Sequence, residues 1–284
     1  MVFGARGAHR QAMVESGLTV RSAKGDLHID QPGLLDDPPD AGPWDAIFLC
    51  VKLWDLEDAA RLIQPMVSRT TCVVPFQNGV ESERAVASVV GAERVLGGVA
   101  HIATTIAEPG VIQHTGTMAK LTYGELDGTA SGRLSALHEA VTGAGIDGEA
   151  SGEIERLIWR KFIMLAPFAG ATCLYRRSIG AVLADPDSRT SVEALVAETT
   201  AVGRAERIAL DDGQEARTLD QAAGLPVEMK TSMLHDLEAG RRLELPWLNG
   251  AVVRLGRTHG IPTPENERVA TTLEPFALGS GHGA

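Results

Sequence analysis

Residues 44–80 read WDAIFLCVKLWDLEDAARLIQPMVSRTTCVVPFQNGV, and this stretch decides the fold expected for the first half of the chain. Its two ends, residues 44–52 and 70–80, are compact apolar runs, each short enough for one buried strand. Between them, residues 56–67 carry apolar side chains at helical spacing. A strand, a helix and a strand in succession are typical of a mostly parallel α/β sheet.

The pattern of the chain changes near residue 150. Before that point, helical and strand-like runs follow one another, and the loosely alternating segment 110–126, which contains Gly116 and Gly124, predicts a hairpin. After it, the apolar spacing is long and helical, with few strand signals. We therefore expect an α/β domain over residues 1–150 and an all-helical domain over residues 151–284.

Composition argues against several classes of partner. The 284-residue chain carries a net charge of −11, which does not favour nucleic acid or an anionic membrane surface as its main partner. No uninterrupted apolar run reaches the roughly 18 residues of a membrane span. The three cysteines, Cys50, Cys72 and Cys173, form no CxxC pair. We expect reduced thiols in the cytoplasm, and neither a disulfide framework nor a zinc site.

One GxGxxG pattern occurs in the chain, at Gly143, Gly145 and Gly148. A dinucleotide-binding fingerprint must follow a strand and open a helix, because the strand then aims backbone N–H groups at a pyrophosphate. Here the glycines follow a helical segment and lie at the expected domain boundary. We interpret them as a helix C-cap and linker, and not as a cofactor site.

Two polar residues follow the apolar runs of the opening stretch. Lys52 ends the first run and Asn78 ends the second. Ligands of open α/β sheets bind outside the carboxyl ends of the strands, so this pair indicates one shared crevice. The alternatives are a solvated strand end for Lys52 and a plain turn residue for Asn78.

The helical half contributes three further candidates. Lys161 lies in a segment that is apolar on most sides, so it either extends to solvent or lines a cavity as a proton donor or carboxylate binder. Glu244, between Leu243 and Leu245, is a candidate partner for a buried lysine, or it complements a helix dipole. Ser232 precedes it in the same polar stretch. The eight histidines form no HxxxH or HExxH pattern, and we assign no metal site.

Six motifs follow one another over nearly the whole chain: FGARGAH, GLTV, CVKLWDLEDA, PFQNGVE, IWRKF and SMLHDLEAGRRLELPWLNGAVVRLGRTHGIPTPEN. In this order they resemble the ketopantoate reductase (2-dehydropantoate 2-reductase) family, and the last motif is the most specific. The resemblance implies a Rossmann-type N-terminal domain and a helical C-terminal domain, with the active site in the cleft between them. It also implies an NADPH-dependent oxidoreductase that reduces a 2-keto acid, by default 2-dehydropantoate to pantoate in pantothenate biosynthesis.

The resemblance implies a role for each candidate. Lys161 matches the general acid that donates a proton to the carbonyl oxygen, and Glu244 matches its acidic partner. An ammonium aimed at that oxygen stabilises the negative charge of the reduction before protonating it. Ser232 matches a residue that binds the substrate carboxylate. Lys52 and Asn78 match residues that line the nicotinamide cleft, where Asn78 also orients the substrate.

The N-terminal end departs from the family pattern. Arg6 matches the position that meets the 2′-phosphate of NADPH. Family members carry a strand, a GxGxxG turn and a helix ahead of the position of Phe3, a unit of about 20–30 residues that this sequence does not show. We expect a true start upstream of Met1, so that the Rossmann-type domain is incomplete here; the alternative is a non-catalytic relative. An in-frame strand–GxGxxG–helix segment upstream favours the first reading, and a stop codon just upstream favours the second.

The substrate pocket departs from the family pattern as well. Leu165, Ile179 and Met229 stand where ketopantoate-reducing members have asparagines. Without polar partners for a substrate hydroxyl, the site selects a hydroxylated keto acid less strongly, so a more apolar 2-keto acid is an alternative substrate. A 3-hydroxy acid dehydrogenase is a further alternative, which the long C-terminal motif does not favour. The expected partners are NADPH and a small-molecule substrate, with a homodimer left open.

Overall fold

The computed structural model describes residues 1–35 and 44–279, which form two compact units. Within these limits the first unit consists of Met1–Leu49, Glu57–Phe76 and Val86–Gly152, and the second of Cys50–Leu56, Gln77–Ala85 and Glu153–Ala284. The chain therefore passes between the units several times, whereas the sequence-based boundary after residue 150 divides it once. That boundary stays a prediction about domains.

Strands and helices alternate along the first unit. In chain order the elements up to residue 152 are α1 (Gly7–Ser16), β1 (Leu18–Ser22), β2 (Leu27–Ile29), β3 (Ala46–Leu49), α2 (Leu56–Ile63), β4 (Cys72–Pro75), α3 (Ser82–Val90), β5 (Gly97–Glu108), β6 (Val111–Gly124), α4 (Gly132–Gly143) and β7 (Asp147–Ala150). The first residue of α2 and the first four residues of α3 belong to the second unit. On α4, Leu134, Leu137 and Val141 share one helical face and pack with Tyr123 of β6 in a common apolar core.

Five of these strands form one sheet, with β6 at its centre. The strand order is β2-β1-β6-β5, and β7 also pairs with β6. β1 runs parallel to the first part of β6, with Thr19 opposite Val111, and β7 runs parallel to its last part, with Tyr123 opposite Ala150. β5 and β6 are antiparallel along most of their length. The sheet is therefore mixed, where the sequence predicted mostly parallel pairing.

The β5–β6 hairpin differs from the hairpin that the sequence predicted. Its turn lies at Pro109 and Gly110, and Gly110 has φ +80°, a left-handed conformation that suits glycine. The segment expected to fold back on itself is one continuous strand, β6. Pairing with β1, β5 and β7 along its length outweighs the weak alternation of its sequence.

The strand–helix–strand prediction for residues 44–80 is confirmed. β3 and β4 pair in parallel, and α2 connects them. Every residue of β4 is buried, as its continuous apolar run indicates. Both strands end earlier than predicted, at Leu49 and Pro75, so Lys52 and Asn78 lie in the turns that follow them and not on the strands.

The GxGxxG pattern lies in the wrong order of elements for a dinucleotide site. Helix α4 ends at Gly143, Gly145 follows with φ +77°, and Gly148 belongs to strand β7. The glycines thus lead from a helix into a strand, and no helix N-terminus follows them to receive a phosphate. Their interpretation as a helix end is confirmed, although Gly148 lies in a strand rather than in a linker.

The second unit is helical, and its described residues contain no strand. After Gly152 its helices are α5 (Ile154–Tyr175), α6 (Ile179–Ala184), α7 (Pro186–Ala205), α8 (Gln214–Ala223), α9 (Ser232–Glu238), α10 (Asn249–His259) and α11 (Pro264–Leu273). Helix α5 is long and apolar enough to cross a membrane, but 67% of its apolar window is buried inside the protein, as in a core helix. The predicted succession of an α/β part and an all-helical part is confirmed.

Candidate active site

Four of the predicted site residues meet within the second unit. Lys52 and Asn78 act on the carboxylate of Glu244, and the charge of Glu244 acts on Lys161. Asp236 joins them through Lys52. We call these five side chains the carboxylate cluster. One member comes from each of the turns after β3 and β4, from helices α5 and α9, and from the loop before α10.

Glu244 is held in place by its neighbours in sequence. Leu243 and Leu245 are 0% and 3% exposed, and they anchor the loop in the core. The carboxylate between them is itself buried, because Glu244 is 7% exposed. It accepts hydrogen bonds from the side chain of Asn78 and from the backbone N–H of Leu53. Its lone pairs are therefore satisfied despite burial.

Opposing effects act on the pKa of Glu244, and burial is the largest of them. Burial raises this pKa, because it penalises the charged form of the carboxyl, and the negative charge of Asp236 raises it further. The positive charge of Lys52 and the hydrogen bonds from Asn78 and the N–H of Leu53 act in the opposite direction. The net result is a pKa above the usual range of a glutamate.

Lys52 connects the two acidic residues of the carboxylate cluster. Its Nζ lies 3.3 Å from Oδ2 of Asp236 and 3.9 Å from Oε2 of Glu244. Asp236 also accepts a hydrogen bond from Nε of Arg241 at 2.7 Å. The Lys52 side chain is 46% exposed, so the cluster is open to solvent on this side.

Lys161 is a half-buried amine on helix α5, next to the buried residues Phe162 and Ile163. Burial lowers the pKa of Lys161 from 10.5 to about 8, against the opposing effect of the negative charge of Glu244. The half-buried position of Lys161 agrees better with a side chain that stays within the protein than with one that extends into bulk water.

Ser232 lies beside the carboxylate cluster rather than within it. It is the exposed first residue of α9, one helical turn before Asp236 and hence on the same face of the helix. The helix is capped by its neighbour Thr231, which accepts a hydrogen bond from the N–H of Leu234 at 3.2 Å and bonds to Thr172 of α5 at 2.7 Å. Thr231 thus fixes the start of α9, and its hydroxyl is already used.

Arg6 belongs to the first unit, where it is the exposed N-cap residue of helix α1. No side chain caps this helix, and its first turn holds no acidic residue. Gly7 follows with open space where a Cβ would be, which allows close approach to the backbone. Uncapped N–H groups, a helix N-terminus and an arginine suit an anionic phosphate, so these residues fit the phosphate end of a dinucleotide.

The three positions that depart from the family's pocket have different environments. Ile179 is 4% exposed and packs in the core of the second unit, so it cannot contact a ligand as it stands. Its N–H donates a hydrogen bond to the carbonyl of Met229 at 2.8 Å. Met229 is 43% exposed, and Leu165 is half-buried against the core. Of the three, Met229 presents the most apolar surface.

Several side chains at the cluster were not recognised from the sequence. Asp236 received no role, although its position four residues after Ser232 was a usable signal. Trp54, Trp247 and Arg242 lie together next to Lys52, with the guanidinium of Arg242 against both indoles. No local pattern could link Trp54 to the other two, because it is far from them in the chain and the tertiary fold brings them together.

The carboxylate cluster can carry out one kind of chemistry well. An amine with a pKa of about 8 both holds and releases a proton near neutral pH. The fixed carboxylate of Glu244 favours its charged form. A carbonyl oxygen placed against this ammonium would be stabilised as it gains negative charge and would then be protonated.

Comparison with known proteins gives consistent matches along the chain. Two family models, described as ketopantoate reductase PanE/ApbA and as its C-terminal part, match residues 1–128 and 153–276. A 2-dehydropantoate 2-reductase of Archaeoglobus fulgidus is 31% identical over 98% of this chain and 90% of its own. The uncharacterized oxidoreductase YkpB of Bacillus subtilis is 28% identical over 97% of this chain and 90% of its own.

Solved structures match the fold over the same span. The crystal structure of a 2-dehydropantoate 2-reductase from Geobacter metallireducens has a TM-score of 0.86 and 30% identity, and the match covers 96% of this chain and 91% of that one. A D-mandelate dehydrogenase solved with NADH shares the fold at a TM-score of 0.83 and 20% identity, over 97% and 89% of the two chains. The expected Rossmann-type and helical parts are thereby confirmed, and the chain belongs to the ketopantoate reductase PanE/ApbA family, as an oxidoreductase of the 2-dehydropantoate 2-reductase type.

Proposed function

We propose that this protein reduces a 2-keto acid with NADPH, and that the default substrate is 2-dehydropantoate, which becomes pantoate. The observation that carries the proposal is Lys161, a half-buried amine whose pKa lies at about 8 beside the carboxylate of Glu244. At pH 7 such an amine is roughly nine-tenths protonated, yet it releases its proton far more readily than an ordinary lysine.

In this proposal Lys161 is the proton donor. When bound, the dinucleotide supplies the hydride that adds to the carbonyl carbon of the substrate. The ammonium of Lys161 hydrogen-bonds the keto oxygen, stabilises the negative charge that develops there, and transfers a proton from Nζ to that oxygen. The amine then regains a proton from solvent, to which the cluster is open near Lys52.

Glu244 is the acidic partner in the same proposal. Its negative charge raises the pKa of Lys161 and so keeps the donor protonated. Lys52 and Asn78 hold this carboxylate and favour its ionised form. We assign Asn78 and the exposed hydroxyl of Ser232 to the substrate, and Lys52 and Asn78 to the nicotinamide side of the site.

Arg6 is proposed to bind the 2′-phosphate of NADPH. Its support is the setting of α1, whose first turn lacks both a capping side chain and an acidic residue. A phosphate at this position would meet backbone N–H groups and a guanidinium together. The same charge would favour NADPH over NADH, which lacks the phosphate.

A more apolar 2-keto acid is the second candidate substrate. Leu165, Ile179 and Met229 offer no amide for a substrate hydroxyl, and Met229 presents apolar surface. A site built without such partners discriminates weakly between a hydroxylated substrate and its analogue without the hydroxyl, in contrast to the roughly 10⁴-fold selection of a hydrogen-bonding site.

The test is a steady-state assay with two related keto acids, 2-dehydropantoate and 3-methyl-2-oxobutanoate, which lacks the hydroxymethyl group. We expect NADPH oxidation with both, and a kcat/KM ratio below about 100 between them, because the pocket lacks hydrogen-bonding partners for the hydroxyl. NADH should be used less efficiently than NADPH. A folded protein that oxidises neither dinucleotide with any 2-keto acid would instead be a non-catalytic relative.

The remaining expectations stay predictions. They are a cytoplasmic location, a place in pantothenate biosynthesis, and a homodimer. They follow from the family resemblance and the composition of the chain, and they play no part in the chemistry argued above.

A further inference from the structure

Trp54, Trp247 and Arg242 form a second group in the second unit, which we call the tryptophan–arginine cluster. The guanidinium carbon of Arg242 lies 4.7 Å from the ring centre of Trp54 and 5.8 Å from that of Trp247. The two indole rings are 6.3 Å apart and inclined at 51°. Arg242 therefore contacts the aromatic surface of both tryptophans.

This group adjoins the carboxylate cluster. Nζ of Lys52 lies 5.5 Å from the ring centre of Trp54 and 3.9 Å from Oε2 of Glu244. In sequence, Trp54 is two residues after Lys52, and Arg242 is two residues before Glu244. Trp54 thus contacts both a cation of the carboxylate cluster and Arg242.

The ion pairs near Trp54 leave out Arg242. Four charged side chains near Trp54 form ion pairs or ring contacts: Lys52, Arg242, Asp236 and Glu244. Lys52 lies near both carboxylates, and Arg241 pairs with Asp236. Across residues 1–35 and 44–279, no carboxylate pairs with Arg242. A guanidinium without such a partner, in a chain of net charge −11, can bind an anion from solution.

The indole contacts also orient Arg242. Contact with two indole rings restricts the conformations of the Arg242 side chain. Its planar guanidinium can bind a planar carboxylate with two parallel hydrogen bonds. Because the rings fix the arginine before the ligand arrives, less side-chain freedom is lost on binding.

We propose that Arg242, held by Trp54 and Trp247, binds the carboxylate of the 2-keto acid substrate. This inference rests on the proposed function, and it adds the residue that selects an acid over a neutral carbonyl compound. In a 2-keto acid the carboxylate carbon is bonded to the keto carbon, so holding the carboxylate also orients the keto oxygen. Ser232, which the family resemblance assigns to the carboxylate, can add a hydroxyl donor, whereas Arg242 supplies the charge.

The test compares an acid with its ester. 3-Methyl-2-oxobutanoate and its methyl ester share the keto group and the side chain, but only the acid carries a negative charge. We expect Arg242→Gln to lower kcat/KM for the acid by about 10–100-fold, the range of a charge-assisted hydrogen bond. The ester should be affected less than about threefold. A purely structural role of Arg242 would reduce both substrates equally.

Two further variants sharpen the comparison. Arg242→Lys keeps the charge but removes the planar fork, so its kcat/KM for the acid should lie between wild type and Arg242→Gln. Arg189→Gln removes a cation from the exposed surface of α7, where Arg189 pairs with Glu193, and should leave both substrates unchanged. If Arg242→Gln raises KM for NADPH and leaves KM for the acid unchanged, the arginine binds a cofactor phosphate and the proposal is overturned.

Direct binding separates this proposal from the proposed function. Ligand-observed NMR titration of the methyl signals of 3-methyl-2-oxobutanoate does not require turnover. If wild type turns over no keto acid but binds this anion, and Arg242→Gln weakens binding at least tenfold, the proposed reduction fails and the assignment of Arg242 stands. Equal binding by both proteins, or no binding by either, overturns the assignment of Arg242.

Discussion

Glu244 controls the acidity of Lys161 through its charge. Burial alone would push the pKa of Lys161 further down, and the carboxylate limits that fall to about 8. A general acid must be protonated to act, so the catalytic rate should decline as the pH rises through the pKa of Lys161. In the proposed mechanism, the charge of Glu244 therefore sets how far into the alkaline range Lys161 can donate its proton.

The substitution Glu244→Gln tests this dependence. It removes the negative charge that raises the pKa of Lys161, so that pKa should fall further. We expect the alkaline limb of the kcat/KM profile to move to lower pH by about one unit, a typical effect of one nearby opposite charge. The measurement is the pH profile of NADPH oxidation with the best 2-keto acid.

The matched control is Glu238→Gln. Glu238 lies on α9, is 40% exposed and pairs with Lys230, so the same chemical change there should leave the alkaline limb in place. An alkaline limb that stays fixed or moves to higher pH in Glu244→Gln would show that Lys161 is not the titrating acid, or that Glu244 does not act on it.

Helix α5 carries Lys161, and the position of this helix depends on its close packing against α10. Asn249, the first residue of α10, is fully buried and donates a hydrogen bond to the carbonyl of Ala166 at 3.2 Å and to Oδ1 of Asn266 at 2.9 Å. A Cβ added to Gly170 of α5 would lie 2.6 Å from the amide nitrogen of Asn249. The two helices can approach this closely because residue 170 is glycine.

Gly170→Ala should therefore destabilise the protein, although alanine favours helices by about 1 kcal/mol over glycine. Asn249 is fixed by its hydrogen bonds and cannot easily move away. We expect a net loss of about 1–3 kcal/mol in the free energy of unfolding, the usual effect of overpacking. Urea denaturation followed by circular dichroism measures this change.

Two controls accompany that measurement. Gly143→Ala at the end of α4 introduces the same methyl where nothing lies within 4 Å, and it should not reduce stability. The double change Gly170→Ala with Asn249→Ala removes the side chain that the new methyl would meet, so the second substitution should cost less stability in the Gly170→Ala background than alone. A Gly170→Ala protein as stable as wild type would contradict the close packing.

On the scale of the whole molecule, the sequence predicted the strands and helices better than it predicted which strands pair with each other. The opening strand–helix–strand unit was recognisable because its apolar runs are continuous and its helix is amphipathic. The β5–β6 turn was misplaced because the pairing of a strand with three neighbours depends on contacts that alternation alone does not encode.

In the candidate site, too, local sequence indicates some residues, and the tertiary fold alone brings the others together. Glu244 was recognisable as a charged residue between two leucines, whereas the segment around Lys161 left extension to solvent open, and the family resemblance supplied its role. The tryptophan–arginine cluster was not recognisable, because Trp54 enters the second unit through a short segment of the chain's first half. A contact between such distant segments depends on the tertiary path and not on local spacing.

The central claim is that the protein is a 2-keto acid reductase in which Lys161 donates the proton. The most direct measurement is kcat of Lys161→Met beside wild type, with thermal unfolding of both proteins. Methionine keeps most of the stem's packing and removes the charge and the proton. We predict a folded protein whose kcat falls by about 10²–10⁴-fold, the usual contribution of general acid catalysis. A folded Lys161→Met protein with full turnover, or one that fails to fold because Lys161 is structural, would contradict the account.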